Sequence, residues 1–203
     1  MNIVIATHVE SEGPGSLGTF LEAEGARLRV VRLYDGDKLP EQVAGVDAVV
    51  SMGGPMNVYE EDKYPYLRDE TDFLRRAIDA GIPVLGVCLG AQMIAKAAGA
   101  QVTRSPKEEV GWGMVHVTDA GYADVLFQGL PRDLEVFQWH GDMFHIPENG
   151  TLLADGADCP HQAFRIRNAF GLQFHVEVTA DILSEWFADS PDKSAILDRY
   201  ARV

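Results

Sequence analysis

Apolar and polar positions along the chain change period as it proceeds, from short apolar runs in the first half to strict alternation near residue 175. Residues 3–6, 27–33 and 46–51 are apolar-rich runs of strand length, and 14–24, preceded by Gly13, predicts a helix. Over 66–80, Leu67, Phe73, Leu74, Ala77 and Ile78 fall close to helical spacing, and Gly81 with Pro83 beyond closes the pattern. A strand over 83–87 and a stretch of helix formers over 89–98 follow. This alternation predicts an α/β fold, an open and mostly parallel sheet with helices on both faces, whose sites gather at the carboxyl ends of strands. From about 101 to 178, short strands separated by Gly, Pro and Asp predict a smaller mixed or antiparallel extension of the sheet. Residues 179–202 predict helix, with Thr179 and Asp181 as caps of a first segment and Pro191 at the start of a second. No repeat, linker or low-complexity tract interrupts the pattern, and 203 residues suit a single domain over 1–203 with one full core.

The turn between the strand over 83–87 and the helix that follows carries the sharpest chemical signal. Cys88 stands there between Gly86 and Gly90. Such a corner crowds the backbone, and glycines two residues either side remove the side chains that would clash, as in a Gly-x-Ser-x-Gly elbow. The start of the helix favours negative charge and so a thiolate, which makes Cys88 a candidate nucleophile rather than a small buried hydrophobe. Far downstream, residues 171–178 alternate strictly: Leu172, Phe174, Val176 and Val178 on one face of an expected strand, Gln173, His175 and Glu177 on the other. His175 and Glu177 are then neighbours, and a carboxylate beside an imidazole fixes its tautomer and stabilises the imidazolium. Alone, that segment reads first as an ordinary half-exposed strand; beside the Cys88 elbow it reads as base and orienting acid.

Composition narrows the classes. Hydrophobic residues make up 46% of the chain, ordinary for a globular protein. A formal net charge of -14 argues against binding to nucleic acid or an anionic membrane surface. Two cysteines, Cys88 and Cys159, make no disulfide framework, and a reactive thiol is expected in a reducing, cytoplasmic setting. Residues 1–6 run directly into a strand without the pattern of a signal peptide, and no run approaches a membrane span. Gly53-Gly54-Pro55 lacks the spacing and lysine of a phosphate loop. His140, His145, His161, His175 and Glu177 lack zinc-site spacing, so no metal is expected. His8, at the end of the first strand, lies near the expected cleft without an assigned role.

The Cys88 elbow together with His175-Val176-Glu177 resembles the class I glutamine amidotransferase family, and the resemblance covers most of the chain. Further matches are Ser51-Met52-Gly53-Gly54-Pro55-Met56, Glu109-Val110-Gly111-Trp112 and Trp139-His140-Gly141-Asp142. Gly53-Gly54-Pro55-Met56 with Asp62-Lys63-Tyr64-Pro65 is similar to stand-alone bacterial proteins that resemble the amidotransferase domain of GMP synthetase. Val176 is a departure, since the family usually has proline there; the subfamily is affected more than the chemistry. The resemblance implies a flavodoxin-like sheet, a triad of Cys88, His175 and Glu177, and an oxyanion hole from the amides of Gly54 and Leu89. It further implies Gln92 against the substrate, with the backbone of Gly111 and Trp112 near its amino-acid end. No organic cofactor is needed. The implied substrate is glutamine or another γ-glutamyl compound, and a separate ammonia-accepting synthetase subunit is the implied partner. Three classes of function stay open: a glutaminase that delivers ammonia, a hydrolase or transferase of γ-glutamyl amides and peptides, and a non-catalytic binding module.

Overall fold

A computed structural model describes residues 1–188 and 191–201. Its first half alternates as expected: β1 (Asn2–Thr7), α1 (Gly15–Ala23), β2 (Arg27–Arg32), β3 (Ala48–Ser51), α2 (Tyr66–Asp79), β4 (Val84–Val87) and α3 (Leu89–Ala97). The second half runs β5 (Val102–Val117), a short α4 (Asp119–Tyr122), β6 (Asp133–Phe144), β7 (Thr151–Asp155), β8 (Ala163–Ile166), β9 (Ala169–Leu172), α5 (Ala180–Trp186) and α6 (Lys193–Tyr200). Among the described residues nine strands form one sheet, in the order β2-β1-β3-β4-β9-β8-β7-β5-β6. Pairing is parallel from β2 through β9 and antiparallel from there on.

Both faces of the parallel half are covered, which is why its strands are apolar runs rather than alternating ones. Ile3, Ile5, Val50 and Met52 point to one face, under Leu17 and Leu21 of α1. Val4, Ala6 and Val49 point to the other, where Leu67, Leu74 and Ile78 of α2 and Met93 and Ile94 of α3 close the larger core. Side chains of α2 at 67, 71, 74 and 78 form one buried stripe, and Glu70 is buried on the same helix. The ends of β3 and β4 lie side by side, because Ser51 pairs with Gly86. Thr179 caps α5 as expected, its hydroxyl accepting from the Ile182 amide at 3.2 Å. The second tail helix begins two residues past Pro191, and its expected end at Arg202 lies outside the described residues. Among the described residues no helix is long and apolar enough to cross a membrane.

Two expectations about the second half need correction. Its strands are not all short: β5 and β6 are 16 and 12 residues long and pair as one antiparallel ribbon. Pro106 does not interrupt it, because it falls inside a register shift between Arg104 and Glu109, where no ladder partner is required, and Gly111 adopts φ 99° within the ribbon. The strand expected over 171–178 ends at Leu172. Beyond it the backbone leaves β8 and β9 and crosses toward β6, with the Gln173 amide on the Gln162 carbonyl at 2.8 Å and the His175 amide on the Phe137 carbonyl at 2.8 Å. Both faces of this segment are therefore enclosed, unlike those of a half-exposed strand, with Leu172, Phe174 and Val178 buried as well. Gln173, His175 and Glu177 are buried, while Val176 is 45% exposed.

Candidate active site

The corner after β4 is as tight as its sequence requires. A Cβ on Gly86 would lie 2.5 Å from the Gly90 carbonyl group, and one on Gly90 would lie 2.5 Å from the Ser51 carbonyl carbon. Cys88 itself takes φ 51° and ψ -108°, a conformation a side-chain-bearing residue holds only when its surroundings enforce it. They do so through the Cys88 amide, which donates to the Leu172 carbonyl at 2.8 Å, and the Gly90 amide, which donates to the Met52 carbonyl at 3.0 Å. The elbow is thus bolted to β9 on one side and to the end of β3 on the other. The thiol, 6% exposed with its residue, is turned to the Trp139 carbonyl at 3.6 Å.

His175 and Glu177 meet across the cavity wall. Nδ1 of His175 donates to Oε1 of Glu177 at 2.8 Å, and both residues are nearly sealed from solvent. Nε2 is buried and has no hydrogen-bonded partner among the described residues. Burial alone would lower the imidazole pKa, but Glu177 beside it, reinforced by the neighbouring Cys88 thiol, holds it well above its ordinary value. The indole of Trp186 stands edge-on to the ring, centroids 5.1 Å apart, and fixes its plane. The backbone behind the pair is held by the start of α1: the Ser16 amide donates to the Glu177 carbonyl at 2.9 Å, and Gly15, at φ 47°, packs directly on that carbonyl. Val176 points away from the pair, so valine in place of the family's usual proline leaves the contact of imidazole and carboxylate untouched.

A cavity of about 460 Å³ opens on these groups, lined by Cys88, His175, Gly54, Pro55, Trp139, Trp186 and the acidic pair Glu12 and Glu185, with Val9 and Ser11. Glu12 was invisible as a site residue in the sequence. Burial pushes its carboxyl pKa up, against the opposing pull of His175. Gly54 lies on the cavity wall and Leu89 begins α3 immediately after the thiol; among the described residues neither amide has a hydrogen-bond acceptor. Gln92 is buried beneath the floor, donating to the Asp142 carbonyl at 3.2 Å and to Oε1 of Gln173 at 3.3 Å. Trp112 lies apart from the cavity lining: its Nε1 donates to the Ile196 carbonyl at 3.3 Å, and its ring packs on Phe137 and Tyr200, docking α6. Gly111 pairs with Gln138 in the ribbon.

The histidines do not gather into the metal cluster considered above. Among the described residues one group, Glu109, His140 and Cys159, brings potential ligand atoms within 4.8 Å of one another. Its Glu109 carboxylate is already engaged by His140 at 3.0 Å and by the Gln162 amide at 2.8 Å. That arrangement is a buried polar strut between β5, β6 and the loop before β8.

The class-I glutamine amidotransferase model matches residues 16–188. YfeJ of Salmonella typhimurium, named as glutamine amidotransferase-like, is 32% identical over 185 residues, covering 89% of this chain and 77% of that protein. The glutamine-hydrolyzing GMP synthase of Thermosipho africanus is 33% identical over 149 residues, covering 72% of this chain and 27% of that enzyme, so the chain spans well under half of such synthases. The crystal structure of a glutamine amidotransferase from Thermotoga maritima shares the fold with a TM-score of 0.92 at 33% identity, covering 100% of this chain and 90% of that one. An elbow-borne cysteine facing a histidine–glutamate pair, within a match of this length, means that the chain belongs to the class-I glutamine amidotransferase family.

Proposed function

We propose that the chain, acting as one unit over 1–203, hydrolyses the side-chain amide of glutamine to glutamate and ammonia. The observation that carries this reading is the buried His175, tied through Nδ1 to Glu177 and left with Nε2 unpartnered beside the Cys88 elbow. Cys88 swings from the Trp139 carbonyl, its thiol proton passes to Nε2 of His175 and the sulfur attacks the amide carbon, while the amides of Gly54 and Leu89 receive the developing oxyanion. His175 delivers its Nε2 proton to the departing nitrogen, and ammonia leaves as the thioester forms. The same nitrogen then takes a proton from water, whose oxygen displaces the thioester sulfur and gives glutamate. Glu177 keeps Nδ1 protonated and the ring aimed throughout. In this scheme Gln92 acts beneath the site by fixing the backbone at Asp142, and Gly111 and Trp112 support it from the ribbon. No metal or organic cofactor takes part in these steps, and ammonia passes to a separate synthetase in the cytoplasm.

A second reading has one observation in its favour. Besides Cys88 and His175, Ser11, Glu12 and Glu185 line the cavity of about 460 Å³, which is more room than glutamine's own leaving group, ammonia, requires. A γ-glutamyl amide or peptide would use that space with the same triad. Comparing kcat/KM for glutamine with that for a panel of γ-glutamyl peptides separates the two: a larger value for glutamine is expected, and a value for any peptide exceeding it tenfold or more transfers the assignment to γ-glutamyl hydrolysis.

A further inference from the structure

Behind the Gly53-Gly54 loop, on the side away from the cavity, lies a chain of polar side chains that the triad does not use. His8 follows β1 directly, and Glu70 sits on the apolar side of α2; both have 0% exposure. Nδ1 of His8 is 2.9 Å from the Gly53 carbonyl oxygen, and Nε2 is 2.7 Å from Oε2 of Glu70. Oε1 of Glu70 accepts from the hydroxyl of Ser51, the last residue of β3, at 2.7 Å. Carbonyl oxygens only accept, so Nδ1 carries a proton. Nε2 and the Glu70 carboxyl share a second proton; burial lowers the ring's pKa, and Glu70 beside it raises it above the ordinary value. Such a pair is costly to bury, and its four hydrogen-bonding atoms are all engaged, in a line running from the Ser51 hydroxyl to the Gly53 carbonyl.

The geometry points to His8, Glu70 and Ser51 as a positioning clamp that fixes the Gly53-Gly54 peptide so that the Gly54 amide faces the reacting thiol. The peptide is trans, so its N–H lies opposite its C=O. With the Gly53 carbonyl drawn toward His8, the Gly54 amide is turned away from His8, on the wall it shares with Cys88 and His175. Gly54 itself is closely packed, since a Cβ there would lie 2.9 Å from Cβ of His8 and 2.8 Å from Cδ2 of Leu89, so only glycine fits this position. The hydrogen bond from Nδ1 to the carbonyl also polarises the peptide and strengthens the amide as a donor. This assignment rests on the oxyanion role given to Gly54 above, and it adds that the hole is formed in the isolated chain without a partner. None of the three side chains touches the substrate, so they are positioning residues.

The test compares chemistry that needs an oxyanion hole with chemistry that does not. Turnover of glutamine and of γ-glutamyl-p-nitroanilide builds charge on a carbonyl oxygen, whereas alkylation of Cys88 by iodoacetamide is a displacement at carbon with no oxyanion. In His8→Phe, kcat on either substrate is expected to fall by about 10²–10³, the loss typical of one oxyanion donor, with KM little changed and the iodoacetamide rate within about twofold of wild type. Glu70→Gln preserves shape and the Ser51 contact, so it serves if His8→Phe does not fold; a smaller fall in kcat with the same unchanged alkylation rate is expected. Equal kcat in a folded variant, or a parallel fall in turnover and alkylation, overturns the clamp. Crystal structures of wild type and His8→Phe decide the point independently: a rotated Gly53-Gly54 peptide in the variant supports it, and an unmoved one refutes it. Should wild type turn over neither substrate, the glutaminase reading fails, while those crystal structures still answer for the clamp.

Discussion

Replacing Glu177 with glutamine isolates what one charge contributes, because glutamine keeps the length of the side chain and an oxygen for the His175 Nδ1 hydrogen. The contact is 2.8 Å and both side chains are nearly fully buried, so the pair is only weakly screened by solvent. Unit charges about 4 Å apart at an effective dielectric of about 20 attract by about 4 kcal/mol, or about a thousandfold in the balance between imidazolium and imidazole. Without that charge, burial is the largest influence on the ring and favours its neutral form. The proton His175 must deliver to the leaving nitrogen is then held far less often. Steady-state glutaminase assays of Glu177→Gln are therefore expected to show kcat lowered by about 10²–10⁴, with KM changed little. Stability should follow the same ion pair. Because the folded-state pKa of His175 is raised, the pair's stabilisation is fully present below the ordinary value of 6.5 and is lost as pH rises through the folded value. The denaturation midpoint of the variant should accordingly fall furthest behind wild type in mild acid, and the gap should close as pH rises. A variant with kcat within threefold of wild type would refute the role given to this carboxylate.

Other perturbations test the frame around the site. Gly90→Ala places a methyl 2.5 Å from the Ser51 carbonyl carbon, which forces the elbow off β3; thermal unfolding should show a loss of about 1–3 kcal/mol, and turnover should fall by at least tenfold. Gly15→Ala sets a side chain against the Glu177 carbonyl at a residue with φ 47°, so the His175–Glu177 pair should be displaced and kcat reduced, while an unchanged kcat would show that the start of α1 does not hold that backbone. Burial raises the pKa of the Cys159 thiol, so mass mapping after brief treatment with iodoacetamide near neutral pH should find the label on Cys88 and little on Cys159.

The Cys88 elbow was legible because its signal is local: Gly86 and Gly90 report a backbone constraint that only a tight corner imposes, and the constraint is there in the φ of Cys88. Glu177 was legible as the partner of His175 through their spacing of two, although the strand assumed for them stops at Leu172 and they are held instead by β6, α1 and α5. Glu70 left a trace that reading by apolar positions alone passes over, a carboxylate three residues after Leu67 on the buried stripe of α2. Its partner His8 lies 62 residues away in sequence, so no local pattern joins them. The same holds for Glu12, which reaches the cavity from the loop before α1, and for Trp112, whose indole is taken up by α6. The length of the β5–β6 ribbon was hidden because Pro106 and the glycines look like breaks, and only the register shift shows how they are absorbed.

The most direct test of the central claim is ammonia and glutamate release from glutamine by the purified chain beside its Cys88→Ala variant. Stoichiometric release of both products by wild type, abolished by loss of the thiol, is the expected result. Release that persists in the variant would contradict the claim, since the chemistry would then not pass through Cys88.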